Sequence, residues 1–209
     1  PLLDRGIRPD FVTALDYSPI SRRFYESLPD LPETTLVVEA KGHPAIVEAY
    51  PGPIRMCRSD FNDHLLGRLA RPIVALPAGA TVAHLSFYLA QHLGCDPIML
   101  LGQDLGFSDG LYYCPGTAAW NVWSPELGRF NSVEMMEWKR VVRMRGHLRR
   151  DTDQNGQPMF TDEQMVTYRR QFERDFARAD QTVLDCTEGG AAKSHTEVMP
   201  FADALAVHA

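Results

Sequence analysis

Residues 73–101 constrain the fold more than any other stretch. Ile73-Val74-Ala75-Leu76 is an apolar run, followed by the turn Pro77-Ala78-Gly79-Ala80-Thr81, an apolar helical segment from Val82 to Leu93, the stop Gly94, and a second apolar run from Ile98 to Leu101. A strand–helix–strand unit of this length forms a right-handed crossover between parallel strands. It places the turn at 77–81 and the turn at 102–106 on one edge of the sheet. Ligands of open α/β sheets bind just beyond the carboxyl ends of such strands. Gly102 allows the backbone to turn or approach closely there, and Gln103 and Asp104 are presented at the edge. The turn with Gly79 and Thr81 aims the unpaired N–H groups of a helix start at the same edge, an arrangement suited to an anion. Plain helix capping by the same two residues is the alternative.

The rest of the chain repeats this grammar. Residues 1–5 read as a helix end with Gly6 as its C′ residue. Strands are expected at 11–16, 35–40, 54–57 and 182–186, besides 73–76 and 97–101. Asp16 ends the first, and the last runs into Thr187-Glu188-Gly189-Gly190, a further polar, glycine-bearing strand exit. Ser18-Pro19 starts a helix expected to reach Leu28, 44–50 forms a short helix, and helical spacing is weak over 61–69. Ser132 caps a helix to about Arg145, and Pro200 opens the terminal one. Asn155-Gly156 predicts a protruding β-hairpin over 151–161. Thr161 with Gln164 reads as a capping box before a helix whose stripe Met165, Tyr168, Phe172 and Phe176 faces a core. Residues 106–128 lack periodicity, and Tyr112, Tyr113, Trp120 and Trp123 there either wall a pocket or pack the loop on the core. About six short strands alternating with helices give an α/β class: a doubly wound, mostly parallel Rossmann-like sheet with a small β-hairpin insertion. A single domain over 1–209 is expected, with its chemistry where Asp16, Gly79–Thr81, Gly102–Asp104 and Glu188–Gly190 meet.

Composition narrows the partners. A net charge of −6 gives the whole molecule no electrostatic footprint for nucleic acid. The basic cluster Lys139, Arg140, Arg143, Arg145, Arg149 and Arg150 reads as a solvated helix face. The four cysteines (Cys57, Cys95, Cys114, Cys186) contain no C-x-x-C pair, and the seven histidines no H-E-x-x-H. These spacings predict reduced thiols, a cytoplasmic setting and no transition-metal site. No apolar run reaches the roughly 18 residues of a membrane span.

Three runs in order, Gly-Ile-Arg-Pro-Asp-Phe-Val-Thr-Ala-Leu-Asp at 6–16, Gly94-Cys95-Asp96-Pro97-Ile98 through Gly102-Gln103-Asp104-Leu105, and Thr187-Glu188-Gly189-Gly190-Ala191, resemble the motility accessory factor family. These are bacterial proteins of flagellin glycosylation, whose central domain is related to archaeal 6-hydroxymethylpterin diphosphokinase. The Gly-Ala-Thr-Val helix start followed by Leu-Leu-Gly-x-Asp is also similar to bacterial sialyltransferases that use a CMP-sugar on a Rossmann-like fold. The family's Gly-Pro-Ser-Leu turn has no counterpart here, so the chain is expected to begin downstream of it, and Gly106 stands where the family usually has alanine.

The resemblance implies a glycosyltransferase that moves a nonulosonic, sialic-acid-like sugar from a CMP-activated donor to Ser or Thr of flagellin. The nucleotide and sugar would be held by Asp16, Gly79, Thr81, Gly102, Gln103, Asp104, Thr187, Gly189 and Gly190. Glu188 and His195 are both candidates for the general base, and a solvent-exposed loop position is the other reading of His195. The CMP-sugar is then a co-substrate and no cofactor or metal is expected. A second reading is ATP-dependent pyrophosphoryl transfer to a hydroxymethylpterin, with Asp16, Asp60 and Asp104 as Mg²⁺ ligands. A third is a module that binds a nucleotide-sugar or a flagellar partner without chemistry.

Overall fold

The computed structural model describes residues 2–58, 60–69, 75–107 and 124–208, with the backbone alone at 60–62 and 140. Residues 73 and 74 of an expected strand, Cys114 and the four aromatic residues Tyr112, Tyr113, Trp120 and Trp123 lie outside this set. The chain divides into two compact units, one ending at Leu93 and the other starting at Gly94.

In the first unit, β2 (Thr35–Glu39) lies between β1 (Phe11–Ala14) and β3 (Ile54–Cys57), all parallel. The last four residues of β2, Leu-Val-Val-Glu, are all buried. A continuous run replaces alternation because both faces of the strand are covered. On one face Ala14, Leu36 and Val38 pack with Tyr25, Leu31, Tyr50 and Ile46, the last from helix α1 (Pro44–Ala49). On the other, Val37, Leu15 and Cys57 meet Leu85 and Leu89 of helix α3 (Val82–Leu93). Each fully buried leucine here stabilises the unit by up to ~1.5–3 kcal/mol. A short helix α2 (Asp60–Leu66) follows β3. Arg58 bridges Ala75 in parallel, so the sheet continues toward the expected 73–76 strand.

The helix expected from Ser18 to Leu28 is instead a 3₁₀ helix, Pro19–Phe24. Pro19 does occupy the first turn, but the Ser18 side chain makes no capping hydrogen bond. Tyr25 then turns inward, its ring edge-on to Tyr50 at 6.1 Å between centroids.

In the second unit, β4 (Ile98–Leu100), β7 (Val183–Asp185) and β8 (Glu197–Val198) form a parallel sheet in that order. Gly94, at φ +77, ends α3 as the sequence predicts. The described parallel strands thus form two three-stranded sheets, one in each unit. Of the pairing expected between 73–76 and 97–101, residues 73 and 74 lie outside the described set; among the described residues Ala75 bridges Arg58 and β4 pairs with β7.

Ser132 caps α4 (Val133–Met144), its hydroxyl accepting from the Met135 N–H at 3.3 Å. The hairpin is present as β5 (Leu148–Thr152) and β6 (Pro158–Asp162), joined by a five-residue loop rather than a two-residue turn. The Asp153 carboxylate organises that loop by accepting from the N–H groups of Asn155 and Gln157 at 2.9 and 2.7 Å, with Gly156 at φ +79. The expected capping box does not form, and the cap shifts by one residue. Asp162 caps α5 (Glu163–Phe176) through the Met165 N–H at 2.8 Å, while Thr161 is buried inside β6 and donates to the Leu105 carbonyl at 3.0 Å. Phe172 and Phe176 stack in the core as their stripe requires. The terminal helix α6 (Phe201–His208) follows Pro200. In the basic cluster, Arg149 pairs with Glu163, and Lys139 donates to Asn131 at 2.7 Å.

Candidate functional site

Two strand exits of the second unit fold against each other. Beyond β4 the chain passes through Gly102 at φ +65 and Leu105 at φ +48; beyond β7 it passes through Glu188 at φ +61 and Gly190 at φ +71. Left-handed conformations in two facing loops need external support where the residue is not glycine. A Cβ on Gly190 would stand 2.4 Å from the Asp104 Cα and 2.6 Å from its carbonyl oxygen. The missing side chain therefore lets the two backbones touch, and the Ala191 N–H donates to the Asp104 carbonyl at 2.7 Å. The Gln103 N–H donates to the Thr187 hydroxyl at 3.3 Å.

Beneath this clamp lies an ion pair that no reading of the sequence singled out. Lys193 and Asp185 have fully buried side chains, and the Lys193 ammonium donates to the Asp185 carboxylate at 2.7 Å. The same ammonium donates to the Ala191 carbonyl at 3.2 Å, and the other Asp185 oxygen accepts from the Thr187 N–H, also at 3.2 Å. Both oxygens of the buried carboxylate are thereby satisfied, as burial of a charge demands. The sequence carried half of the signal: an aspartate ending the apolar run at 183–185 matches the pattern read at Asp16.

The hairpin grips the same loops rather than standing clear of the unit. Gln154 donates from its backbone to the Gly190 carbonyl at 2.9 Å, and Phe107 to the Phe160 carbonyl at 2.7 Å. Asn155 reaches the Glu188 carbonyl at 3.5 Å. Gln103 and Asp104 are held by their backbones, and neither side chain has a hydrogen-bond partner among the described residues.

Of the two candidate bases, Glu188 is committed locally. Its carboxylate accepts from the Phe201 N–H at 3.0 Å, at the start of α6. This is a helix-capping role, favoured by the positive end of the helix dipole. His195 is exposed, at φ +63, and lines a surface cleft of about 330 Å³ with Arg170, Glu173, Arg174, Ala177 and Ser194.

The remaining candidates belong to the first unit. Thr81 caps α3 in the ordinary way: its hydroxyl accepts from the His84 N–H at 3.4 Å and pairs with His84 Nδ1 at 2.8 Å. Gly79 is buried, and a Cβ there would lie 2.7 Å from that of His84. Capping and close packing thus account for both residues of this turn. Asp16 is exposed at the end of β1, where its carbonyl accepts from the His43 N–H at 2.8 Å. Its side chain lines an apolar cavity of about 430 Å³ with Leu3, Val12, Phe24, Tyr25 and Leu28. Burial, then the Asp16 charge and then Tyr50 push the Tyr25 phenol up to about 12.

Cys57, Cys95 and Cys186 are free thiols. Burial pushes Cys57 up to about 11, aided by Glu39, and raises Cys186 as well. Among the described residues no three His, Cys, Asp or Glu side chains gather as metal ligands, and no helix is long and apolar enough to cross a membrane.

Parallel strands covered on both faces, with glycine-bearing exits at their carboxyl ends, define a Rossmann-like α/β protein. The family model for 6-hydroxymethylpterin diphosphokinase MptE-like proteins matches residues 1–110, just over half of the chain, and the chain belongs to that family. Its fold is that of a solved structure, the MAf glycosyltransferase from Magnetospirillum magneticum AMB-1, with a TM-score of 0.62 at 18% identity. The match covers 95% of this chain and 27% of that one, so the chain spans about a quarter of its neighbour's length. No curated protein sequence matches it. The relationship to the diphosphokinase group, read from the sequence runs, is supported by the family match, and the solved structure shows the Rossmann-like fold.

Proposed function

We propose that this chain is the nucleotide-sugar-binding, Rossmann-like part of a glycosyltransferase. It would transfer a nonulosonic sugar from a CMP-activated donor to a Ser or Thr hydroxyl of flagellin. The observation that carries the reading is the clamp between the two strand exits. It holds the backbones of Gln103 and Asp104 and leaves an amide and a carboxylate without protein partners among the described residues. Such groups at a strand's carboxyl end suit ribose or sugar hydroxyls, which donate to a carboxylate.

In the transfer, the acceptor hydroxyl oxygen forms a bond to the anomeric carbon as that carbon's bond to the phosphate oxygen breaks. CMP departs with the electron pair, and the hydroxyl proton passes to a base. His195 is the better candidate for that base, because the Glu188 carboxylate is occupied at the start of α6. A positioned base contributes about 10²–10⁴-fold. The leaving group carries a single phosphate, which N–H donors can stabilise without a metal clamp. Transfer or donor hydrolysis is therefore expected to survive excess EDTA.

Calorimetric titration with CMP tests the site. Asp104→Ala is expected to weaken binding by roughly 1.5–3 kcal/mol, the worth of hydrogen bonds to a charged group. Unchanged affinity in a folded variant removes Asp104 from the site. The family match over residues 1–110 favours a second reading, pyrophosphoryl transfer from ATP to a hydroxymethylpterin. That reaction leans on Mg²⁺ to neutralise developing charge. An absolute Mg²⁺ requirement with ATP consumption in the presence of the pterin would replace the first reading with the second.

A further inference from the structure

The hydrogen bonds around Lys193 form a converging pattern. One arm runs from the Lys193 ammonium to the Asp185 carboxylate, from there to the Thr187 N–H, and from the Thr187 hydroxyl to the Gln103 N–H. The other runs from the same ammonium to the Ala191 carbonyl, and from the Ala191 N–H to the Asp104 carbonyl. Two arms that start on one buried nitrogen thus end on two consecutive residues, both half-buried, whose side chains have no hydrogen-bond partner among the described residues. We propose that the Lys193–Asp185 pair is a positioning device: it sets the spacing of the two strand exits and so the placement of Gln103 and Asp104 toward a ligand.

A pair kept only for stability would be an odd choice at this place. Two fully buried opposite charges cost much of their mutual attraction in lost hydration, and well-packed apolar residues of similar size often serve a fold equally well. What apolar residues cannot supply is direction. Asp185 offers two oxygens at fixed angles and Lys193 a donor for each of two acceptors, so the pair fixes a loop geometry that hydrophobic packing leaves loose. The left-handed Glu188 and Gly190 lie within the span that these bonds hold, and backbone in those conformations relaxes once its support is withdrawn.

The inference rests on the nucleotide-site reading, and its test separates the two. The double variant Lys193→Met with Asp185→Leu removes both charges and keeps apolar volume. It is expected to fold and melt cooperatively, yet to bind CMP about tenfold or more weakly, the effect of one misaligned hydrogen bond to a charged group. Amide hydrogen exchange at Gln103 and Ala191 is expected to accelerate in the same variant. Wild-type CMP affinity with wild-type exchange at both amides would overturn the proposal and leave a merely structural pair. If the wild-type chain itself binds no CMP, the nucleotide reading fails, and exchange at the two amides alone decides whether the pair sets the loops. Should the double variant not fold, Thr187→Val cuts one arm. Weaker CMP binding together with faster exchange at Gln103 then supports the proposal, and wild-type CMP affinity despite faster exchange overturns it.

Discussion

The turn at 77–81 in the first unit and the loop at 187–191 in the second are written in nearly the same letters. Each follows an apolar run, and each joins small residues to a threonine. Their physics differs. In the first turn Thr81 spends its hydroxyl on the start of α3, and Gly79 makes room for His84. The sequence there closes a helix end and needs nothing further. In the second loop Thr187 spends its N–H and its hydroxyl on two different partners, and Gly190 makes room for the backbone of Asp104. One turn serves its own helix, whereas the other joins two segments far apart in the chain. Glycine and threonine at a strand exit therefore signal a tight backbone, and only the partner tells whether the tightness is local.

The contrast is open to attack at three points. Gly190→Ala should be the most damaging change, at about 3 kcal/mol or more, because it adds a left-handed alanine and a clash with backbone that cannot step aside. Denaturant unfolding measures the loss, and a cost below about 1 kcal/mol would mean the loops separate freely. The second point is alkaline stability in the first unit. Tyr25 is pushed up to about 12 and Cys57 up to about 11. The native state keeps these protons after the unfolded chain has lost them, so their contribution is complete below about pH 9 and disappears as pH rises toward 12. The Tyr25 share is on the order of 2–3 kcal/mol, and Tyr25→Phe should flatten the pH dependence of unfolding between pH 10 and 12. An unchanged slope would mean that Tyr25 is as solvated in the native unit as in the unfolded chain. The smallest effect belongs to Thr81→Ala, an ordinary cap loss of about 1 kcal/mol. CMP affinity should remain at the wild-type value in that variant. A selective loss of CMP binding would return the turn at 77–81 to the nucleotide site.

Much of the fold was legible because it follows from periodicity. The buried run of β2, the strands β1 and β4 (ending two residues and one residue short of their expected bounds), the caps at Ser132 and Gly94, and the hairpin at Asn155-Gly156 all rest on local rules that tertiary contacts left in place. The misreadings at Thr161 and Glu188 share one cause, which is competition from a distant partner. Thr161 has the pattern of a capping residue, but the Leu105 carbonyl takes its hydroxyl and Asp162 does the capping. Glu188 looks like an available carboxylate until the start of α6 is placed beside it. Asp185 could have been flagged as an acid ending an inner strand, but Lys193 sits in a loop with no pattern around it. The hairpin was foreseen without its role, since nothing in residues 151–161 names Gly190 as the partner of Gln154.

The clamp also has a consequence for how the second unit reaches its native state. The hydrogen bond between Gln103 and Thr187 spans 84 residues of chain. Closing so long a loop is entropically costly, and contacts of large sequence separation slow folding. The hairpin between them is local and forms on a microsecond scale. An order of assembly follows: the hairpin and α5 come first, and the two strand exits meet only when β4 and β7 pair. Gln103 and Asp104 would then be the last to acquire their geometry, and a ligand bound there, as proposed above, would act on the final step of folding as much as on the finished protein.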